Sequence, residues 1–456
     1  MDSHAPLSPE DAATRAREIA GEPPLLSDDA LALEFSRRLE GDLLYVPVLG
    51  RWFRWDGCRW AQDDVLAVFD LVRSICRGHS LDASGGKAER LGSAATVAAV
   101  ERLARSDPRH ARRIEVFDAD PWALNTPAGV VDLRTGTLRP HCRDDLHTKV
   151  TGVAPGGTCR RWVRFLLEIT NGNRRMVRYL QRFIGYTLTG ITREHVFAFL
   201  RGPGGNGKSV LLATVAAVLG DYAKTAMAEV IMATRNEPHS TSTAALRGAR
   251  MILVTETEEG RPLAEARLKA LVAGDTISAR VMHGNPFEFQ PVGKWWIAGN
   301  HSPVLRNPDP AMRRRLHLVP LTYVPAKPDP DLAERLKAEL PGILAWAIQG
   351  CLMWQKEGLN PPPLVADAVA EYFADQDSIA AWMAERCERF PHATAKARYL
   401  FADWALWAKG RGEEPGTEKR FSEALQRYAA KKRLPSGMVF LGLRLLPAEP
   451  PMDGYQ

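Results

Sequence analysis

Residues Gly202 to Ser209 read Gly-Pro-Gly-Gly-Asn-Gly-Lys-Ser, a match without exception to G-x-x-x-x-G-K-S. Each residue type has a task in holding a triphosphate. The glycines let successive backbone N–H groups turn inward on a β-phosphate. A lysine neutralises charge on the β- and γ-phosphates, and a serine hydroxyl reaches Mg²⁺. Gly202, Pro203, Gly204, Gly205, Asn206, Gly207, Lys208, Ser209 and Val210 are therefore the expected cradle for ATP. Lys208 is expected to act on the reacting phosphate, and Ser209 to hold the metal.

Three further groups have types that suit the same chemistry. The apolar run Met251 to Thr255 leads into Glu256-Thr-Glu258-Glu259. A strand that delivers carboxylates beside a phosphate loop supplies one to the Mg²⁺ water shell and one to orient the attacking water. Glu256 takes the main role, as metal and catalytic residue, and Glu258 the supporting one. A third apolar run, Lys294 to Ala298, ends at Gly299-Asn300, which puts an amide within reach of a γ-phosphate. The arginines at Met312-Arg313-Arg314-Arg315 suit charge stabilisation across a subunit boundary, which requires an oligomer. Arg314 and Arg315 are the candidates.

These residues need elements that point them at one place. His195 to Leu200 is a short apolar run of buried-strand type, and Val210 to Leu219 a helix closed by Gly220, so the loop sits between strand and helix. Alternation on either side of His283-Gly-Asn-Pro286, within 273–290, predicts a β-hairpin. Projecting into a pore, it would offer Arg280 and His283 to DNA phosphates. A helical stretch from Arg161 to about Leu188 precedes the loop, and a helix from Asp331 to Gln355 follows between two proline-rich breaks. Upstream, Leu31 to Leu39 is helical, Leu43 to Trp60 is β-rich, and Gly129 to Leu138 is two short strands around a turn. Near the C-terminus, a helix from Ala395 to Lys409 precedes a turn. A basic helix with Lys419 and Arg420, continuing to Arg427 and Lys431, and a strand from Met438 to Leu445 complete a winged-helix pattern aimed at DNA.

The bulk properties agree. A chain of 456 residues is too long for one core. Its 45% hydrophobic and 25% charged residues exclude a disordered or fibrous protein. The net charge of +6 suits a protein that spends time beside a polyanion. Six scattered cysteines, with no C-x-x-C pair, read as free thiols of a reducing compartment. Neither a signal peptide nor a membrane span is apparent, so the cytoplasm is the expected location and no membrane partner is expected. The expected divisions are a flexible tail at 1–24, an N-terminal domain at 25–157, the core at 158–360, and a DNA-binding module at 361–456.

The order of these motifs resembles the superfamily 3 helicases, and among them the phage and plasmid primase–helicases related to the poxvirus primase–helicase. The segments that carry the likeness are GPGGNGKS, ILVTETEEG, LKALVAGDTISAR, WWIAGNHSPV and AMRRRLHLVPL. The stretch Phe117 to Gly136 is similar to that family's helicase-associated N-terminal domain. The resemblance implies an α/β protein with an AAA+ P-loop NTPase core, three-layered around a mostly parallel sheet. A small α+β N-terminal domain and a C-terminal winged-helix-like module flank it. It also implies a hexameric ring that hydrolyses ATP at its interfaces and moves 3′ to 5′ on single-stranded DNA. By position Lys208 and Ser209 match the Walker A pair, Glu256 the Walker B acid, and Asn300 the sensor. Arg314 and Arg315 match the family's arginine pair. Arg313 stands where the family more often has an aromatic residue, and His283 where its hairpin often carries Lys. Asp118-Ala-Asp120 imitates a primase's metal carboxylates, but too little chain precedes it for a polymerase fold, so a separate primase is the expected partner. The resulting expectation is a replicative DNA helicase. A protein-remodelling AAA+ ATPase and a non-catalytic origin-binding protein are the alternatives.

Overall fold

In a computed structural model, the described residues are 23–233, 240–255, 261–280, 286–305, 309–411, 415–435 and 437–446. They fall into two compact units, one drawn from residues 1–303 and 314–366, the other from 304–313 and 367–456. Among them no helix is long and apolar enough to cross a membrane.

The first unit opens with helix α1 (Asp28–Arg38), whose start follows from its sequence. Ser27 Oγ accepts the Ala30 N–H at 3.1 Å, and Asp28 and Asp29 face the positive end of the helix dipole. Strands β1 (Leu43–Val46), β2 (Arg51–Trp55) and β3 (Trp60–Gln62) form an antiparallel meander. Helices α2 (Ala67–Leu81) and α3 (Ala94–Ala104) complete a core around Phe35, Trp52, Val72 and Val100. A second meander comprises β4 (Ala123–Thr126), β5 (Gly129–Asp132) and β6 (Thr137–Arg139). The two strands expected here are β5 and β6. Strand β4 has no β-branched run to announce it and is fixed by pairing with β5.

The expected helical stretch from Arg161 is two helices, α4 (Arg160–Ile169) and α5 (Arg174–Thr187). Asn171 and Gly172 both adopt positive φ and end the first, while the Asn173 side chain caps the second. Strand β7 (Phe197–Arg201) then leads through the glycine-rich loop into α6 (Lys208–Leu219). With β8 (Ala223–Thr225), β9 (Met251–Thr255), β12 (Lys294–Gly299) and β13 (Leu316–Pro320), β7 builds a five-stranded sheet in the order β13-β7-β12-β9-β8. Every neighbouring pair in it is parallel. Ala198, Leu200, Leu253, Trp296 and Val319 pack under α4, α5, α6 and α7 (Leu340–Glu357). The alternate residues Phe199, Ile252, Val254, Trp295 and Ile297 are buried as well, so both sheet faces are covered. The helix expected over 331–355 is interrupted, with a short helix at Leu332–Lys337 ahead of α7.

Between β9 and β12 lies the expected hairpin, β10 (Ile277–Arg280) with β11 (Pro286–Phe289), antiparallel in the register Ala279↔Phe287. Ala279, Phe287 and Phe289 bury themselves with Leu44, Phe53 and Phe117, so one hairpin face is anchored on the first meander.

The second unit contains α8 (Ser378–Arg386), β14 (Cys387–Lys396), α9 (Ala397–Gly410), α10 (Glu418–Leu425), β15 (Lys431–Leu434) and β16 (Gly437–Leu445). Its sheet has the order β14-β16-β15, antiparallel throughout. Two expectations are corrected here. Ala395 and Lys396 close strand β14 and do not open α9. Lys431 lies on strand β15, in register with Phe440 of β16, and not on a continuing basic helix; Arg427 sits in the turn after α10.

Candidate functional site

The parallel register brings the C-terminal ends of β7, β9 and β12 to one edge of the sheet. Ala298 pairs with Leu200 on one side and with Thr255 on the other. Immediately beyond β7, the loop from Gly202 turns into the first residue of α6. Gly207 has φ 87°, a conformation that an L side chain adopts only with strain. A Cβ there would also lie 2.8 Å from Ile169 Cγ2 and 3.0 Å from Phe165 Cε2. The close seat of the loop on α4 thus requires glycine.

Lys208 is buried. Its ammonium donates to the carbonyls of Gly202 at 2.6 Å and Pro203 at 3.0 Å, to Asn206 Oδ1 at 3.0 Å, and to Asn300 Oδ1 at 3.2 Å. All four acceptors are neutral. Among the described residues the positive charge is therefore positioned without a carboxylate partner, and burial lowers the lysine's pKa from its usual value. Asn206 braces the arrangement from the other side. Its side chain is buried and its Nδ2 donates to the Leu321 carbonyl just past β13. Next to these groups lies a cavity of about 850 Å³, lined by Gly204 to Val210, Thr255, Asn300, His301, Phe165 and Tyr323, among others. It has room for a nucleotide. Exposed Ser209, in the first turn of α6, faces the same space.

The structure thus brings together Gly204, Gly205, Asn206, Gly207, Lys208, Ser209, Val210 and Asn300 around one cavity, with Gly202 and Pro203 directly behind the lysine. Glu256 and Glu258 lie outside the described residues, as does His283; strand β9 is described as far as Thr255, at the cavity wall. Arg314 and Arg315 do not line the cavity. The Phe197 N–H donates to the Arg315 carbonyl at 2.9 Å, which places that arginine at the start of β7, at the opposite edge of the sheet from the loop. Arg280 is exposed at the end of β10. In the second unit Lys419 and Arg420 are exposed on α10, beside Glu418 and Glu423.

Several cavity residues went unnoticed in the sequence. Phe165 and Ile169 of α4 form part of the cavity wall, and their i, i+4 spacing reads only as an apolar helix face. Arg161 is held at the rim by Glu168 at 3.2 Å and Asp329 at 3.8 Å. Tyr323 and Lys327 arrive from beyond β13. No local pattern marks any of these.

The carboxylates that imitate a primase site have structural partners. Asp118 is buried and accepts from the Thr148 N–H at 2.9 Å and Lys149 Nζ at 3.1 Å. Burial would raise its carboxyl, but Lys149 and the Thr148 hydrogen bonds outweigh it and hold the pKa at about 2. Asp120 accepts from the Trp122 N–H at 2.9 Å and pairs with Arg134 at 3.3 Å.

Comparison with known proteins agrees with this architecture. Residues 32–171 match the family described as D5 N terminal like, and residues 200–315 match a family of unknown function, DUF5906. Over 292 residues the chain is 25% identical to L207/L206 of Acanthamoeba polyphaga mimivirus, a protein described as a candidate helicase. That match takes in 58% of this chain and 30% of the mimivirus protein, so the chain spans less than a third of that relative's length. The fold is similar to the apo structure of the NrS-1 C terminal region (305–718), with a TM-score of 0.51 at 10% identity, over 91% of this chain and 99% of that one. The A form of the same region gives 0.50, over 91% and 100%. Together these findings bear out the resemblance to the superfamily 3 helicases of phage-type primase–helicases.

Proposed function

We propose that this chain is an ATP-dependent DNA helicase of phage or plasmid replication, working as a ring, with hexamers the expected assembly. The observation that carries the proposal is the Lys208 ammonium, buried and held by neutral acceptors among the described residues at the mouth of a nucleotide-sized cavity, between the glycine-rich loop and Asn300. In this reading the loop is a P-loop and the core is AAA+. The sheet order supports it: the strand of Asn300 lies between the loop's strand and the strand that leads to Glu256.

Backbone N–H groups of the loop and Lys208 bind and orient the β- and γ-phosphates of ATP. Ser209 and Glu256 hold Mg²⁺, which when bound draws charge from the phosphate oxygens. Asn300 positions Lys208 and the γ-phosphate end, and Glu258 assists in orienting water. Arg314 and Arg315, set apart from their own cavity, complete a neighbour's. Arg280, with His283, contacts DNA from the hairpin. The helix-strand-helix-helix-strand-strand order of the second unit is that of a winged helix, the fold of a DNA-binding module. A separate primase is the proposed partner.

The test is the ATP turnover rate with and without single-stranded DNA, for the native chain and Lys208→Ala. DNA-stimulated turnover that the substitution abolishes is the expected result. Stimulation only by unfolded polypeptide would point instead to protein remodelling. The absence of turnover under every condition would leave a non-catalytic origin-binding protein.

A further inference from the structure

The basic charge of the second unit is unevenly neutralised. Arg386 pairs with Asp403 at 2.9 Å, Arg411 with Glu385 at 3.5 Å, and Arg444 with Glu388. On α10, Lys419 and Arg420 share eight residues with exposed Glu418 and Glu423, so the helix has no net charge. Lys396, Arg398 and Lys432 pair with no carboxylate among the described residues, as is also true of Lys409 and Arg433.

The sheet brings two of them together. Lys396 of β14 is in register with Val439 of β16, which is in register with Lys432 of β15. Paired residues of an antiparallel sheet project to the same side. Lys396 and Lys432 therefore share one face, about 10 Å apart across two strand spacings, and flank Val439, which is buried. It is the face opposite Phe440, which belongs to the helix-packed core and carries Lys431 over its ring at 5.9 Å. Arg398 joins the two from the first turn of α9. Its guanidinium lies 4.7 Å from the ring centroid of Tyr399 and donates to the Tyr399 hydroxyl at 2.8 Å, while Lys396 Nζ lies 6.0 Å from the same ring. Tyr399 is 52% exposed. An exposed ring that steadies two cations lowers the ordering cost of placing them on a ligand.

We infer that Lys396 and Arg398, steadied by Tyr399, form with Lys432 the surface with which the second unit holds the DNA phosphate backbone, and that helix α10 does not. The inference rests on the reading of the chain as a DNA-bound motor and relocates its DNA contact within that unit. Lys431, on the core-facing side, is excluded from the contact.

Fluorescence anisotropy of the full chain on labelled duplex and single-stranded oligonucleotides, titrated with salt, tests it. Each lost phosphate contact lowers the slope of log affinity against log salt by about 0.9 on duplex and about 0.7 on single strands. The Lys396→Ala/Lys432→Ala variant is expected to lose about 1.8 or about 1.4 of slope, and the form that shows the loss is the form bound there. Lys419→Ala/Arg420→Ala is expected to keep the native slope. Thermal unfolding checks that the variants fold, and Arg398→Ala serves as a milder second variant. An unchanged slope in a folded patch variant, or a loss confined to the α10 variant, overturns this inference. If DNA-stimulated ATP turnover persists in that case, the helicase reading survives. A native chain that binds neither oligonucleotide overturns both.

Discussion

At the scale of single residues, the site depends on a few neutral groups that place a charge. Asn206 satisfies the Leu321 carbonyl and accepts from Lys208, so Asn206→Leu removes both. A buried acceptor left without a donor costs about 1–3 kcal/mol, and that destabilisation is expected in denaturant unfolding together with weaker nucleotide binding in a fluorescent-nucleotide titration. His317 provides a pH test. Half-buried against Tyr179, whose hydroxyl is 2.7 Å from its Nδ1, the imidazole is pushed down by desolvation from 6.5 to about 4. The folded chain then binds fewer protons than the unfolded chain between these values. This contribution to stability is present above pH 6.5 and is lost as pH falls toward 4. His317→Gln is expected to flatten stability against pH in that window, by at most about 3 kcal/mol. Identical pH profiles for the two proteins would remove His317 from the account. Residue types alone made the glycine-rich loop and Asn300 legible. They gave no sign of Arg161, Phe165 or Tyr323, because those residues reach the cavity only through the packing of α4 and the chain beyond β13.

At the scale of elements, two helices approach more closely than side chains allow. A Cβ on Gly185 of α5 would lie 2.1 Å from the Cys351 nitrogen of α7, and one on Gly350 would lie 2.1 Å from the Gln181 carbonyl oxygen. Gly185→Ala must separate α5 from α7, under which the sheet is packed. Overpacking of this kind typically costs about 1–3 kcal/mol, and contact with backbone atoms places the expected loss at the upper end or beyond, measured by the denaturant midpoint. Neither glycine belongs to a turn, so the sequence carries no hint of the constraint. The hairpin β10–β11 was legible from alternation, since Ala279, Phe287 and Phe289 point inward in period two. Lys431 was misplaced for the converse reason. A run of three basic residues has no period, and its pairing with β16 decides that it is a strand.

At the scale of the whole molecule, the sheet separates the arginine pair from its own cavity. Arg315 stands at the beginning of β7 and the glycine loop at its end, five residues or about 16 Å apart. An arginine side chain does not span that distance. Arg315→Ala is therefore expected to abolish turnover while leaving nucleotide affinity within twofold of native, and Lys208→Ala to weaken affinity itself. Mixing the two inactive variants should restore part of the activity, because an interface between them pairs an intact loop with an intact arginine. Mixtures that remain inactive at every ratio would count against catalysis in trans.

The sequence by itself determined the strand and helix on either side of the glycine-rich loop and the order of the motifs, because glycine and the apolar runs beside it act through neighbours along the chain. It also determined the hairpin and several helices, which depend on neighbours along the chain. Tertiary structure alone decided that Asn300 reaches Lys208, that α4 forms a cavity wall, that Asp118 serves Lys149, and that Lys396 and Lys432 share a face. Those are relations between strands and helices far apart in sequence. Sheet register and close packing fix them, and no local residue pattern encodes either.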